Sequence, residues 1–229
     1  MCTLAAKKIN NKFFIFKNRD LGWNAKTRII KENKKVKKLL VVDERGHCEG
    51  LNEYGIGLIE ATLQPYPRIR YKTPSQIARR VLDQSNINDA IKIIENNKIS
   101  ANIIISDGKV AFIVEKTPYE FALIKIKTEG AITNLSLKLN HKNGAKLASL
   151  RESAKLRYER AKKIIKKIRK FSDIQKFLSD KEGWPANSIC RGYPWWIPTR
   201  CSFIYDLKNK TIFFCKTRPD KGKFKKYQL

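Results

Sequence analysis

Short runs of apolar or alternating residues fill most of the chain and are bounded by Asn, Gly and Pro. This pattern is typical of β-strands. It predicts strands at 3–9, 12–17, 36–42, 56–62, 101–106, 110–115, 121–127, 130–133, 202–207 and 211–216. Tight turns are predicted at Asn10-Asn11, Asp107-Gly108 and Lys208-Asn209, because these residue pairs tolerate the backbone that a hairpin needs.

Apolar residues at helical spacing predict three helices. The first begins at Thr73-Pro74, where Thr73 can cap and Gln76 can close a capping box. The second covers about 87–96, and the third covers about 150–170 with apolar residues at 150, 154, 158, 161, 165 and 168. Helices that interrupt groups of strands favour an α+β fold in which antiparallel sheets carry the helices on their outer faces.

Length and composition fit one folded unit. The chain has 229 residues, of which 42% are hydrophobic, and we expect residues 1–229 to form a single domain. The longest apolar runs are too short to cross a bilayer, so no membrane partner is expected. The first residues lack the pattern of a signal peptide, which predicts a cytoplasmic protein.

The chain is strongly basic, with a formal net charge of +28. Ten Lys and Arg residues lie between 151 and 170, on the polar face of the third helix, compared with two acidic residues, Glu152 and Glu159. This face of the third helix is either a solvated outer surface or a surface that binds RNA or another polyanion. The first interpretation is favoured, because the chain is rich in Lys throughout and carries no recognised nucleic-acid motif.

The Cys and His residues argue against metals and disulfides. An odd number of Cys residues, five, without a Cys-x-x-Cys pair argues against both a disulfide framework and a structural zinc site. Cys201 and Cys215 are predicted in the core, whereas Cys48 and Cys190 are predicted in loops. The two His residues, His47 and His141, are predicted in loops or on the surface, and we expect no metal and no cofactor.

The most informative residue is Cys2. Removal of Met1 would leave one residue that carries both a thiol and a free α-amine. An α-amine has a pKa of about 8, which suits a general base at neutral pH, so it can take the thiol proton without a histidine.

Three further positions fit this chemistry. Cys2 opens a strand that is predicted to pair with the strand ending in Lys17-Asn18-Arg19-Asp20. Asp20 could then hold the α-amine, while Lys17 or Arg19 favours the thiolate. Asn134 closes another strand, where its side-chain amide could donate to an oxyanion.

At this point the chain resembles N-terminal-nucleophile hydrolases, and most closely the choloylglycine hydrolase, penicillin V acylase and isopenicillin-N acyltransferase group. The resemblance rests on motifs in a shared order over most of the chain. These are Cys2-Thr3, Lys17-Asn18-Arg19-Asp20, Leu51-Asn52-Glu53-Tyr54-Gly55-Ile56, Thr133-Asn134, the stretch 153–160 around Arg157-Tyr158, and the strand 202–207.

The resemblance implies an αββα sandwich of two antiparallel sheets and cleavage of a linear, non-peptide amide through a Cys2 thioester. It implies Cys2 as nucleophile and base, Asp20 as the anchor of the amine and Asn134 as an oxyanion donor. Thr62 would contribute its backbone N–H, and Arg200 would be the late arginine beside the substrate. The aromatic loop with Trp195 and Trp196 is either a pocket wall or packing over the sheet edge.

The sequence therefore predicts a cysteine amidohydrolase, or an acyltransferase, with a small-molecule amide as its substrate. The alternative is a non-catalytic basic protein that binds RNA or another polyanion through the 151–170 helix face. The pattern leaves self-association into a homo-oligomer open.

Overall fold

A computed structural model describes residues 1–22, 26–63, 74–139 and 148–229. The predicted cap Thr73 and the predicted loop residue His141 lie outside the described residues. The strands are β1 (Cys2–Ile9), β2 (Lys12–Asp20), β3 (Thr27–Asn33), β4 (Lys37–Asp43), β5 (Cys48–Asn52), β6 (Gly57–Thr62), β7 (Ala101–Ser106), β8 (Ala111–Lys116), β9 (Phe121–Ile126), β10 (Glu129–Ile132), β11 (Thr199–Asp206), β12 (Thr211–Cys215) and β13 (Lys225–Gln228). The helices are α1 (Pro74–Val81), α2 (Ile87–Glu95), α3 (Ala148–Ile164), which continues into a 3-10 turn (Ile165–Lys167), and α4 (Phe171–Leu178).

The strands form two antiparallel sheets. The first sheet has six strands in the order β10-β1-β2-β11-β12-β13, and the second has seven in the order β3-β4-β5-β6-β7-β8-β9. The N-terminal strand β1 thus lies inside the first sheet, between β10 and β2.

Strand alternation sends apolar side chains to both faces of each sheet, which produces three apolar layers. On β2, Phe13 and Ile15 pack between the two sheets, whereas Phe14 and Phe16 pack under α3 and α4. On β4, the residues on either side of Leu40 likewise face the inter-sheet layer, while Leu40 packs under α1 and α2. The molecule is therefore layered helix, sheet, sheet, helix, which confirms the predicted αββα sandwich.

The predicted hairpin turn between β1 and β2 is present. Asn10 and Asn11 both have left-handed backbones, with φ of 48° and 62°. A two-residue turn of this kind matches the twist of the paired strands, so it fixes the register that places Cys2 opposite Arg19.

Four elements were not predicted: β3, β5, β13 and α4. Strands β3 and β13 lie at sheet edges and carry many exposed polar residues, so their hydrophobic pattern is weak. In β5 the apolar run is broken by Gly50, where a Cβ would collide with the carbonyl oxygen of Leu39 on β4.

The predicted 150–170 helix ends earlier than expected. Ile168 has an extended backbone, with ψ of 122°, and α4 starts three residues later. The Asp173 carboxylate accepts hydrogen bonds from the backbone N–H groups of Arg169 and Lys170, at 3.0 and 3.1 Å, which starts the new helix. No helix in the described part of the chain is long and apolar enough to span a membrane.

The layered core predicts a contrast between two leucines. Leu39 is fully buried between the sheets, whereas Leu156 on α3 is 40% exposed. Leu39→Ala should lower the free energy of unfolding by about 2–5 kcal/mol because it leaves a cavity, and Leu156→Ala by less than about 0.5 kcal/mol. Urea denaturation of both variants measures the two changes in unfolding free energy. Equal changes would contradict the assignment of Leu39 to the layer between the sheets.

Candidate active site

The N-terminal end of β1 and the C-terminal end of β2 define the site. Cys2 lies opposite Arg19 in the antiparallel ladder. The ladder continues for one more pair, because the Met1 amine donates to the Asp20 carbonyl at 2.9 Å and the Asp20 N–H donates to the Met1 carbonyl at 2.9 Å. Cys2 is thus held in a regular strand and is only 8% exposed.

Strand alternation divides the candidate residues between two faces of this sheet. Cys2 faces the inter-sheet layer. Lys17 and Arg19 share this face, because their partners lie across the layer on the second sheet. Thr3 and Asp20 face the helix layer, where they meet Arg157 of α3. The thiol and the Asp20 carboxylate therefore approach the end of β1 from opposite sides.

The two cations on the thiol side each bind a carboxylate of the second sheet. Lys17 Nζ donates to both oxygens of Glu49 on β5, at 2.7 and 2.8 Å, and Arg19 donates to Asp43 on β4 at 2.5 Å. All four side chains are buried, so these ion pairs tie the two sheets together beside Cys2.

The pKa values of both cations reflect this setting. Burial by itself would lower the pKa of Lys17, but the acidic groups around it, Cys2, Glu49 and Glu60, outweigh burial and raise that pKa. The pKa of Arg19 is also raised, because its acidic neighbours outweigh its burial. Both predicted cations therefore stay charged next to the thiol.

On the helix side, Asp20 lies in a buried pocket of polar groups. The Thr199 hydroxyl donates to its Oδ1 at 2.8 Å. Guanidinium nitrogens of Arg157 and Arg191 lie 3.8 and 3.6 Å from its Oδ2. One buried carboxylate thus faces two buried guanidinium groups.

Arg157 contacts both the Cys2-Thr3 segment and Asn134. Its Nη1 donates to the Cys2 carbonyl at 2.8 Å and to Thr3 Oγ1 at 2.9 Å, and its Nη2 lies 3.5 Å from Asn134 Oδ1. Burial, together with the charge of Arg191, lowers its pKa to about 10, which still leaves it charged at neutral pH. Arg157 therefore fixes the backbone on the carbonyl side of the candidate nucleophile.

Asn134 holds the backbone nitrogen of Cys2. Its Oδ1 accepts a hydrogen bond from the Cys2 N–H at 2.8 Å, and its Nδ2 donates to the Thr62 carbonyl at 2.8 Å. The Asn102 amide in turn donates to the carbonyls of Thr133 and Leu135, at 2.7 and 2.6 Å, and so holds the segment that carries Asn134. The structure thus brings Cys2, Asp20 and Asn134 together, and their catalytic roles stay predictions.

Thr62 and Arg200 were also predicted to bind the substrate. The Thr62 side chain is exposed. Arg200 donates to the Leu21 carbonyl at 3.3 Å and stacks on Tyr193. Among the described residues, the guanidinium groups beside Asp20 belong to Arg157 and Arg191 rather than to Arg200.

The two tryptophans differ in their surroundings. The ring of Trp195 is partly buried against Leu150 and Ile197, with the Arg191 guanidinium 5.2 Å from its centre. Trp196 is 52% exposed. Trp195 is thus a wall beside the charged pocket, and Trp196 lies on the surface.

The prediction that Cys48 lies in a loop was wrong, whereas Cys190 lies in a loop as predicted. Cys48 lies on strand β5 rather than in a loop, and both thiols are buried. Burial raises the pKa of Cys48 to about 11 and that of Cys190 to about 12. Both thiols therefore stay protonated at neutral pH, and their nucleophilicity is low.

The basic helix face is less uniform than predicted. Eight of the ten Lys and Arg residues at 151–170 are exposed. Arg157 instead points inward, and Arg160 binds Asp180 and Glu182. A sequence signal for Arg157 did exist, because it follows Leu150 and Ala154 on the buried stripe of the helix. A charged residue on such a stripe indicates either a buried ion pair or a functional group.

The buried ion pair between Lys17 and Glu49 predicts a non-additive response. Glu49→Gln should lower the free energy of unfolding by about 3–5 kcal/mol, because it leaves the Lys17 charge without a counterion. The double variant Lys17→Met, Glu49→Leu should recover most of that loss. Urea denaturation at neutral pH checks both expectations, and a double variant no more stable than Glu49→Gln would refute them.

Glu60 predicts a pH dependence of stability. Its Oε1 accepts from Ser75 at 3.2 Å and lies 3.5 Å from His47 Nδ1. Burial would raise its pKa, but the hydrogen bond from His47 and the charge of Lys17 outweigh burial and lower it. Since the folded-state pKa lies below the ordinary value of 4.5, the ionised carboxylate stabilises the fold above that pH, and this is lost as pH falls.

Glu60→Gln should therefore flatten the decline of unfolding free energy below about pH 4.5. Urea denaturation at neutral pH and at mildly acidic pH measures this slope. Glu44→Gln, at an exposed position, is the control that should leave the slope unchanged. Equal slopes in all three proteins would show that Glu60 has no such role.

Comparison with solved structures supports the fold. Penicillin V acylase from Agrobacterium tumefaciens aligns with 94% of this chain and 83% of its own, at 16% identity and a TM-score of 0.58. A mutant of conjugated bile acid hydrolase from Clostridium perfringens aligns with 100% of this chain and 97% of its own, at 14% identity and a TM-score of 0.56. A second variant of that hydrolase aligns with a TM-score of 0.60 at 12% identity.

At the level of sequence, no curated protein matches the chain. A family-level match does exist, and it spans residues 9–221. It confirms the resemblance predicted from the sequence motifs, and none of the three comparisons supports the polyanion-binding alternative. With the sandwich fold and a match across most of its length, the chain belongs to the acyl-coenzyme A:6-aminopenicillanic acid acyl-transferase family.

Proposed function

We propose that this protein cleaves linear amide bonds through a thioester on Cys2, once the peptide bond between Met1 and Cys2 has been cut. One observation carries the proposal. The nitrogen of Cys2, which would become the α-amine, already has a fixed orientation through Asn134 Oδ1 at 2.8 Å, on the residue that carries the thiol. A positioned amine beside its own thiol is the arrangement that an N-terminal nucleophile needs.

The first half of the reaction forms the acyl-enzyme. The α-amine takes the thiol proton, and the sulfur attacks the amide carbon, so that a C–S bond forms and the carbonyl oxygen becomes an oxyanion. Asn134 is the proposed oxyanion donor through its side-chain amide, which lies beside Cys2 and is held in place by the Thr62 carbonyl. The ammonium then gives its proton to the leaving nitrogen, and the C–N bond breaks.

The second half releases the acyl group. Water attacks the thioester carbon and gives a proton to the α-amine, which returns it to the sulfur as the acid departs. In acyl transfer, an amine takes the place of water and the other steps are the same. The family description names acyl transfer, and the acylase and hydrolase names of the structural neighbours support amide chemistry at such a site.

The surrounding charges support this cycle from both faces. Lys17 and Arg19 face the inter-sheet layer with Cys2, where positive charge favours the thiolate. On the helix side, the backbone of Asp20 pairs with Met1 next to Cys2, and the negative charge of its buried carboxylate would favour the ammonium that forms on the Cys2 nitrogen after proton transfer.

A brief alkylation of the native protein at neutral pH tests the nucleophile. Mass spectrometry should show Met1 absent and the label on Cys2. Burial raises the pKa of Cys48, Cys190 and Cys201 to about 11, 12 and 12, so these thiols should stay unlabelled. Met1 retained on the native protein, or Cys2 labelled no faster than in denatured protein, would refute the proposal.

Amide-cleaving activity should respond to substitutions in the same pattern. Cys2→Ala should reduce it by at least about a thousandfold, and Asp20→Asn by about ten- to a hundredfold because a charged interaction is lost. Asp206→Asn, at the far end of the first sheet, is the matched control and should keep full activity. A rate that survives Cys2→Ala would exclude the thioester mechanism.

A further inference from the structure

Met1 occupies a defined space beside the candidate nucleophile. Its backbone pairs with Asp20 in both directions, at 2.9 Å each. Its side chain packs against Leu150 of α3 and against Trp195 and Ile197 of the aromatic loop. We call the space bounded by Leu150, Trp195 and Ile197 the Met1 seat.

The walls of the Met1 seat are apolar and largely buried. Leu150 is 6% exposed and Ile197 is 7% exposed, and the Arg191 guanidinium stacks on the Trp195 ring at 5.2 Å. Burial lowers the pKa of the Met1 amine, which is consistent with a site shielded from water. Cutting the bond after Met1 would empty this seat and leave its walls in place.

The reaction chemistry says what should enter the emptied seat. In the proposed function, on which this inference rests, the α-amine of Cys2 must hand its proton to the leaving nitrogen, so the two nitrogens must lie within hydrogen-bond distance. Asn134 Oδ1 already occupies one direction around the Cys2 nitrogen. The direction in which Met1 is bonded is the one that cleavage opens.

We propose that the Met1 seat is the subsite for the amine portion of the substrate, and that it takes an unbranched apolar substituent about as long as a methionine side chain. The methionine of the uncut chain is then a stand-in for the leaving group. A cationic substituent is disfavoured, because Arg157 and Arg191 are both buried beside Asp20 and already exceed its charge.

A series of N-alkylacetamides from N-methyl to N-pentyl tests the subsite. The same cell-free translation system, run with and without methionine aminopeptidase, supplies the chain starting at Cys2 and the chain retaining Met1. The affinity of each amide is measured from the ligand-induced rise in melting temperature. Release of the amine is measured in parallel on the same samples.

For the chain starting at Cys2, affinity should increase roughly three- to fourfold for each added methylene group and level off at N-butyl, which matches the methionine side chain in length. The chain retaining Met1 should show no such dependence because its seat is filled. This comparison needs no substitution in the core.

A pair of variants locates the effect on the Met1 seat. In the chain starting at Cys2, Leu150→Ala should remove most of the dependence on alkyl length. Leu156→Ala, on the same helix but 40% exposed, should keep it. Equal behaviour of these two variants would overturn the assignment of the seat.

The two readouts separate this inference from the proposed function. Amine release without any dependence on alkyl length, or the same dependence in the chain retaining Met1, would overturn the subsite while the enzyme proposal stands. A length dependence confined to the chain starting at Cys2, without amine release from any amide of the series, would support the subsite and count against amide cleavage.

Discussion

The site depends on one constraint: charges buried at the ends of β1 and β2 must find partners inside the protein. Lys17 and Arg19 meet Glu49 and Asp43 across the inter-sheet layer. These pairs tie the first sheet to the second at the end where Cys2 lies. Removing one partner of such a pair leaves an uncompensated buried charge, which is strongly destabilising. The arrangement of charge around the thiol is therefore part of what holds the sandwich together.

On the other face of the first sheet, the strand supplies a carboxylate and its partners supply the positive charges. Asp20 faces two guanidinium groups, and one of them, Arg157, also binds the carbonyl of Cys2. Asn134 holds the Cys2 nitrogen, so the residue is fixed on both sides of its Cα. In the proposed mechanism Cys2 supplies both the thiol and the amine, so the contacts that orient this one residue would orient both reacting groups.

The agreement between prediction and structure follows the strength of the local pattern. Strands with a clear run of apolar residues, such as β1, β2 and β7, were predicted to within a few residues. Edge strands β3 and β13 were missed because an edge strand has one unpaired side and can remain polar. In α3, Arg157 lies on the buried stripe of the helix, where the helical spacing predicts an apolar residue and the sequence has a charged one. Such conflicts between local rules are expected at functional sites.

The sequence by itself determined where the hydrophobic pattern of a strand or of a helix occurs. It also determined the Asn10-Asn11 turn, and hence the pairing that sets Cys2 opposite Arg19. It also determined that Lys17 and Arg19 share a face and that Asp20 lies on the other, because side chains alternate along a strand. Only the tertiary structure decided which groups meet them: Asn134 lies 132 residues from Cys2, and Arg157 lies 155 residues from it. Local preferences act over a few residues, whereas the partner of a buried charge is chosen by the packing of distant segments.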